Sequence, residues 1–244
     1  MRSLLFVSCL LLAQTKAIDP PSELLICKMH DTDCIAKSIK SALLLLQNGR
    51  KDLGIPPIDP IHLANMHIPG SGGQVDLEQT YEPIDVFGLS ASSILDGSVD
   101  MDNGNCEITM NSLSPHVEII GQYKFTGKLL LFQINGFGRC NVTLINLSSK
   151  HTMKCEHVDV DGEEHLRVTD YKLDMQPESI MYEFENMVDG NRAISDEVLK
   201  VMNENNLDIY AEIKKDYDRT FAEIFYHITN KIFNNIPKKK LFLE

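Results

Sequence analysis

From Thr32 to Asn48 the apolar residues Ile35, Ile39, Ala42, Leu43 and Leu46 recur at spacings of three and four, which predicts an amphipathic helix. Thr32 or Asp33 can cap its start and Gly49 can end it. Leu44 and Leu45 widen the apolar face beyond one stripe, so the helix either packs on a core or lies over an apolar cavity. The stretch that follows, GRKDLGIPPIDPIHL, carries three prolines that force Ile55, Pro56 and Asp59 into extended geometry. It reads as a strut that sets the angle of the helix, with Ile58 as its one member in reach of the interior.

Between about Ile61 and Tyr182 the period shortens. Segments such as Val117 to Phe125, Lys128 to Ile134 and Cys140 to Leu147 hold β-branched and aromatic residues between glycines, which predicts a mainly antiparallel sheet. Asp102-Asn103-Gly104-Asn105 and Asp161-Gly162 are hairpin signals, because Asn or Asp before Gly tolerates positive φ. Leu129-Leu130-Leu131-Phe132 breaks the alternation, which predicts a strand with apolar surroundings on both faces.

After Asp189-Gly190-Asn191 the helical period returns, with Ser195 as cap and Asp196 and Glu197 in the first turn. A stripe runs through Ile194, Val198 and Val201 and resumes at Ile209, Ile213, Tyr217, Phe221, Phe225, Ile228 and Ile232 until Pro237 ends it. The 41 residues from Ser195 to Asn235 would span roughly 60 Å. Asn203-Glu204-Asn205-Asn206 marks a kink or break, and a long curved sheet is the partner such a helix needs. Short helix, many strands, long helix is an α+β order, with no internal repeat and one domain.

The N-terminus, MRSLLFVSCLLLAQTKA, has the layout of a secretory signal peptide over residues 1–17, leaving 18–244 as the mature domain. Removing Arg2 and Lys16 takes the 23 basic residues to 21 against 35 acidic ones, so the net charge moves from -12 to -14. That balance argues against nucleic acid, and no later apolar run reaches the roughly 20 residues of a membrane span. The expected product is a secreted, extracellular monomer. Lys238, Lys239 and Lys240 form the only basic run and read as a solvated tail.

Cys9 lies in the signal segment, leaving Cys27, Cys34, Cys106, Cys140 and Cys155, an odd count for an oxidising compartment. Cys27 and Cys34 close a short loop and are expected to pair. A hairpin centred on Asn146-Leu147-Ser148-Ser149 would set Cys140 opposite Cys155 and leave Cys106 free, with Cys106–Cys140 as the competing pairing. Asn141-Val142-Thr143 and Asn146-Leu147-Ser148 are glycan acceptor patterns on the same segment, of which at least one is expected to be empty.

Searches for catalysis find little. Gly70-Ser71-Gly72 lacks the spacing and context of a nucleophile elbow. His157, Asp159, Asp161, Glu163, Glu164 and His165 form an acidic, histidine-bearing cluster, but His157, Asp159 and Asp161 alternate with Val158 and Val160 as the wet face of a hairpin does, and the set matches no standard metal spacing. Asp96, Ser98, Asp100 and Glu107 fall at calcium-loop offsets, but Met101 stands where glycine is needed. No enzyme, cofactor or metal is expected. What remains is apolar surplus: the leucine-rich helix, the doubly apolar strand, and Tyr210, Tyr217, Phe221, Phe225 and Tyr226 on the last helix. Together they describe a long apolar cavity with few polar anchors.

Several motifs then coincide in order: Cys27-Lys28-Met29-His30-Asp31-Thr32-Asp33-Cys34, Leu53-Gly54-Ile55-Pro56-Pro57-Ile58-Asp59-Pro60, Gly121-Gln122-Tyr123, Gly127-Lys128-Leu129-Leu130 and Asn135-Gly136-Phe137-Gly138. Phe184-Glu185-Asn186-Met187-Val188-Asp189-Gly190-Asn191, Met202-Asn203-Glu204-Asn205 and Ile232-Phe233 complete the series. The set resembles the insect takeout and haemolymph juvenile-hormone-binding protein family over essentially the whole mature chain. The resemblance implies a strongly curved antiparallel sheet wrapped around a long C-terminal helix and enclosing a hydrophobic tunnel, as in the tubular lipid-binding proteins. It implies a non-catalytic carrier of a juvenile-hormone-like terpenoid, fatty acid derivative or isoprenoid. A receptor or other secreted protein is a further candidate partner. In the family the first cysteine pair is a disulfide, which supports Cys27–Cys34, and by position the first helix covers one tunnel end.

The candidate lining is Ile39, Leu43, Leu46, Ile58, Tyr123, Phe125, Leu130, Phe132, Tyr217, Phe221, Phe225 and Ile228. Two departures favour a takeout-like member over the hormone carrier itself: Asn206 stands where family members often have Trp, and no cysteine follows Cys155. The rival reading is a secreted interaction module with a solid core, or a signalling partner that delivers its ligand to a receptor, with a secreted hydrolase third.

Overall fold

The computed structural model describes residues 24–70, 72–101 and 106–243. The signal segment 1–17, Ser71 of the Gly70-Ser71-Gly72 loop and the Asp102–Asn105 turn lie outside the described residues. A short strand β1 (Cys27–Lys28) leads into helix α1 (Thr32–Leu46). The cap is Asp31, one residue before the expected positions, whose carboxylate accepts from the Cys34 amide at 3.0 Å. Gly49 closes the end with φ 76°, donating to the Leu46 carbonyl at 2.8 Å. Leu44 turns outward at 54% exposure, so the apolar face is narrower than the leucine run suggests.

The strut does more than stiffen. Both oxygens of Asp59 are used: the Gly88 amide donates to one at 2.9 Å, and the Ser90 amide and hydroxyl donate to the other at 2.8 and 2.6 Å. That caps a short turn at Leu89–Ala91, whose neighbourhood α1 also grips, because Lys40 Nζ donates to the Ser90 and Ser92 carbonyls at 2.8 Å each. Strut and helix are thus fastened to the same loop.

Eight strands make one antiparallel sheet. Its spine is a long hairpin of β6 (Glu107–Leu129) and β7 (Phe132–Val160), paired in unbroken register from Glu107 with Lys154 to Leu129 with Phe132. On the β6 side lie β4 (Val75–Phe87), which carries β2 (Ile61–Leu63) and β3 (Met66–Ile68), and β5 (Ser93–Asp100). On the β7 side lie β8 (Glu163–Gln176) and β9 (Ser179–Phe184).

Two sequence expectations fail on this hairpin. Leu130 and Leu131 are its turn rather than the middle of a doubly apolar strand: Leu130 takes φ 53° and Leu131 is 94% exposed. Asn146 does enter the left-handed region, φ 46°, yet β7 runs straight through it. The kink there does something else. Inward residues are even-numbered up to Leu144 and odd-numbered from Leu147, and on β6 the parity changes in step between Ser114 and Val117, across Pro115. Both strands turn over together, so even-numbered residues on one side of the kink and odd-numbered ones on the other share a single inward face.

The missing hairpin also corrects the cysteine pairing. Cys140 and Cys155 sit on one strand, about 50 Å apart at about 3.3 Å per residue, and cannot bond. Cys155 instead joins Cys106 at the foot of β6, where the Cys155 amide also donates to the Cys106 carbonyl at 2.8 Å. Cys27 joins Cys34. Among the described residues Cys140 is the free thiol, and burial pushes its pKa up to about 11.

The long helical stretch is two helices, α2 (Arg192–Glu204) and α3 (Asn206–Asn235), broken at Asn205 as the asparagine cluster predicts. Asn191 is the cap of α2, accepting from the Ile194 amide at 3.1 Å. Ser195 lies inside the helix, where its hydroxyl accepts from the Val188 amide at 2.9 Å. The 30 residues of α3 extend about 45 Å. They touch β8 and β9 and also β3 and β4, which stand towards the opposite edge, so the sheet curls around the helix. Beyond it, the Lys238–Lys240 turn is tied to the β8 hairpin, with Lys238 Nζ 3.3 Å from Glu164 and the exposed Lys239 paired with Glu163. A last strand β10 (Phe242–Leu243) then pairs in parallel with β1.

Candidate ligand-binding cavity

Curling leaves space between sheet, α1 and α3. It forms a cavity of about 300 Å³ whose walls are overwhelmingly apolar, within the roughly 300–1,000 Å³ common for ligand sites. Ile35, Ile39, Leu43 and Leu46 of α1 form one wall, and Tyr217, Phe221, Phe225 and Ile228 of α3 another. Inward residues of β6 and β7 complete it. The approach of α1 depends on Gly97 of β5: a Cβ there would meet Ile35 Cγ2 at 2.9 Å and Ile39 Cδ1 at 3.2 Å.

Several polar groups line this space, and most are satisfied by protein. The Tyr217 hydroxyl donates to Gln79 Oε1 at 2.7 Å and lies 2.6 Å from the Tyr81 hydroxyl. Burial raises the pKa of both tyrosines, which stay neutral. Ser92 donates to the Leu89 carbonyl at 2.7 Å and meets the Ser114 hydroxyl at 2.6 Å. Tyr210 donates to the Met175 carbonyl at 3.2 Å. His151 is 6% exposed; its Nδ1 lies 2.8 Å from the Tyr171 hydroxyl, and its ring packs against Phe225 with centroids 5.7 Å apart. Burial lowers its pKa to about 4, so at neutral pH the ring is uncharged.

An apolar chamber closed by a curled sheet and a long helix is a binding architecture, and the sequence agrees with it. The profile of the haemolymph juvenile hormone binding protein (JHBP) family matches residues 4–243. The chain belongs to that family. It is 24% identical over 228 residues to the circadian clock-controlled protein daywake of Drosophila melanogaster, covering 91% of this chain and 88% of that protein. Against daywake of Drosophila yakuba the identity is 23% over the same length. The crystal structure of Takeout 1 from Epiphyas postvittana superposes with a TM-score of 0.80 at 21% identity, covering 90% of this chain and all of that one. The fold is therefore that of Takeout 1.

Against this family frame, eight of the twelve candidate lining residues border the cavity: Ile39, Leu43, Leu46, Ile58, Tyr217, Phe221, Phe225 and Ile228. Four do not. Tyr123 and Phe125 pack with Phe184 into a solid aromatic cluster, at centroid distances of 4.7, 4.8 and 5.2 Å, and the Tyr123 hydroxyl donates to the Glu185 carbonyl. Leu130 and Phe132 belong to the β6–β7 turn, outside the lining.

Sequence reasoning overlooked Ser112, Ser149, His151 and Tyr171 in the wall. Their signal was present, since Ser149, His151 and Met153 alternate on one inward face.

The acidic cluster is hairpin surface except for His165, which is buried at 3% exposure with its Nδ1 3.0 Å from the Phe233 carbonyl. His157 pairs with Glu164 at 2.6 Å across β7 and β8, and Asp161 and Gly162 form the turn with φ 54° and 83°. Among the described residues no group of His, Cys, Asp or Glu is arranged to hold a metal, and no helix is long and apolar enough to cross a membrane. Of the two glycan acceptors, Asn146 is exposed and its amide donates to Glu178 at 2.7 Å. Asn141 is half-buried within the ladder, with its amide on Glu183 at 3.1 Å.

Proposed function

We propose that this protein is a secreted, non-catalytic carrier of one small hydrophobic molecule, held in an internal tunnel of which the cavity is the widest part. The observation that carries this reading is the nearly unbroken apolar lining between α1, α3 and the sheet, in a member of a hormone-binding family. The ligand class is a juvenile-hormone-like terpenoid, a fatty acid derivative or an isoprenoid. A ligand hiding about 400 Å² of apolar surface would gain roughly 10 kcal/mol at about 25 cal/mol per Å², enough to exceed typical association costs. Transport needs no catalytic group.

The leader-like residues 1–17 and the two disulfides support export to haemolymph or another extracellular fluid, with Asn146 the better placed glycan acceptor. The protein acts as a monomer and hands its ligand to a receptor or another secreted protein. A solid-core interaction module fits less well, because such a core would leave no chamber to line. Native mass spectrometry of protein from insect cells, followed by lipid extraction, tests the proposal. The expected result is a mass excess that disappears on denaturation and is recovered as an apolar small molecule. Absence of any co-purified lipid, together with failure to bind a hydrophobic dye, would favour the solid core.

A further inference from the structure

Most polar groups on the cavity wall are consumed by the protein itself, so those left over define what a ligand must bring. Ser112 and Ser149 are buried residues whose positions line the cavity, and neither takes part in the side-chain hydrogen bonds described above. They face each other across the β6–β7 ladder, and His151 stands two residues beyond Ser149 on the same inward face. The imidazole is committed only at Nδ1, to Tyr171.

We take the half-buried Tyr171 hydroxyl as the donor to Nδ1, 2.8 Å away. With that assignment the proton of the neutral ring sits on Nε2. That N–H and the two hydroxyls border an apolar chamber, where a ligand oxygen is the partner that would serve them best.

We propose that His151 Nε2–H, with Ser112 and Ser149 beside it, is the polar anchor of the cavity and receives an uncharged acceptor oxygen, the carbonyl of an ester or ketone, at one end of an otherwise apolar ligand. This rests on the carrier reading. An anion is disfavoured here because no positive charge faces the anchor: its neighbours are Tyr171, Phe225 and the two serines, and burial keeps the imidazole neutral. A hydrocarbon is disfavoured because it would leave all three donors unmet.

Displacement of a bound fluorescent naphthalenesulfonate dye tests this with three probes: methyl decanoate, tridecane, which has the same number of heavy atoms, and the decanoate anion. Wild type should release dye at about five- to tenfold lower ester than alkane concentration, the size of one hydrogen bond, and His151→Leu should erase that gap. Equal midpoints for ester and alkane in wild type would overturn the anchor while leaving the carrier reading intact. A lower midpoint for decanoate than for the ester would overturn the uncharged acceptor. Failure of all three probes would overturn the carrier reading and this inference with it. Nitrogen NMR of wild-type histidines supplies a reading that needs no variant: His151 should be the Nε2–H tautomer, its proton shifting when methyl decanoate is added. An Nδ1–H tautomer, or an Nε2 proton indifferent to the ester, would sink the proposal.

Discussion

At the scale of single residues, His151 couples the chemistry of the cavity to stability. Its folded pKa of about 4 lies below the ordinary value of 6.5 because burial penalises the charged ring. Between these two values the unfolded chain takes up a proton that the folded chain refuses. Stability should therefore fall as pH drops through that window, by up to roughly 3 kcal/mol, and this contribution should level off below about pH 4. Carboxylates titrate nearby in pH, so the measurement is a comparison: urea midpoints from pH 7.5 to 4 for wild type and His151→Leu. The variant should lose less stability than wild type over that range. Parallel pH profiles would show that the ring is not buried neutral. Cys140 is governed by the same burial in the opposite sense, its thiol kept protonated and inert.

At the scale of elements, the helices are stitched to the open edges of the sheet by side-chain amides that stand in for a missing strand. Asn230 of α3 accepts from the Val168 amide at 2.9 Å and donates to the Val168 carbonyl at 3.1 Å. Asn203 does the same for Tyr182, at 2.8 and 2.9 Å, and Asn206 accepts from the Ile180 amide at 3.0 Å. Asn230→Ala should cost about 1–3 kcal/mol by leaving backbone groups unsatisfied. Asn230→Asp, which keeps the acceptor but loses the donor, should fall between the two. Urea denaturation and hydrogen exchange at the Val168 amide check this, and an alanine variant as stable as wild type would remove the stitch.

These same asparagines show what the sequence could reveal. Their cluster announced the break between α2 and α3, because Asn is a poor helix interior residue, but nothing local says that Asn203 and Asn206 reach β9. The apolar period likewise placed α1, α3 and the run of strands. It failed at Leu130-Leu131, a turn without Gly, Asn or Asp, and at Asn146, whose turn chemistry is spent on a strand kink. Both errors concern which strand neighbours which, and from the second followed the wrong partner for Cys155. Pairing over long separations is decided by the whole sheet, and single segments do not encode it. The cavity was legible on the helices for the converse reason: on an amphipathic helix the inward face is fixed by local period, whereas on β6 and β7 it changes sides midway.

At the scale of the whole molecule, carriage requires that opposite walls act on one occupant, and this gives a test that no single wall could. Leu43 comes from α1, near the N-terminus, and Phe225 from α3, near the C-terminus, yet both border the same chamber. His157 lies on the far hairpin, 32% exposed in its side chain and paired with Glu164. A carboxylate on either wall would have to be desolvated against a bound ligand or draw water into the chamber. Leu43→Asp and Phe225→Asp should therefore each weaken binding of a hydrophobic dye about tenfold or more, while His157→Ala leaves it unchanged. Dye titration with a circular dichroism check of folding makes the comparison. Phe225 also packs on His151, so Phe225→Leu, which keeps the wall apolar, should retain most of the affinity and separate charge from shape. Equal losses for Leu43→Asp, Phe225→Asp and His157→Ala would mean that binding follows general stability, and one shared chamber would no longer account for the molecule.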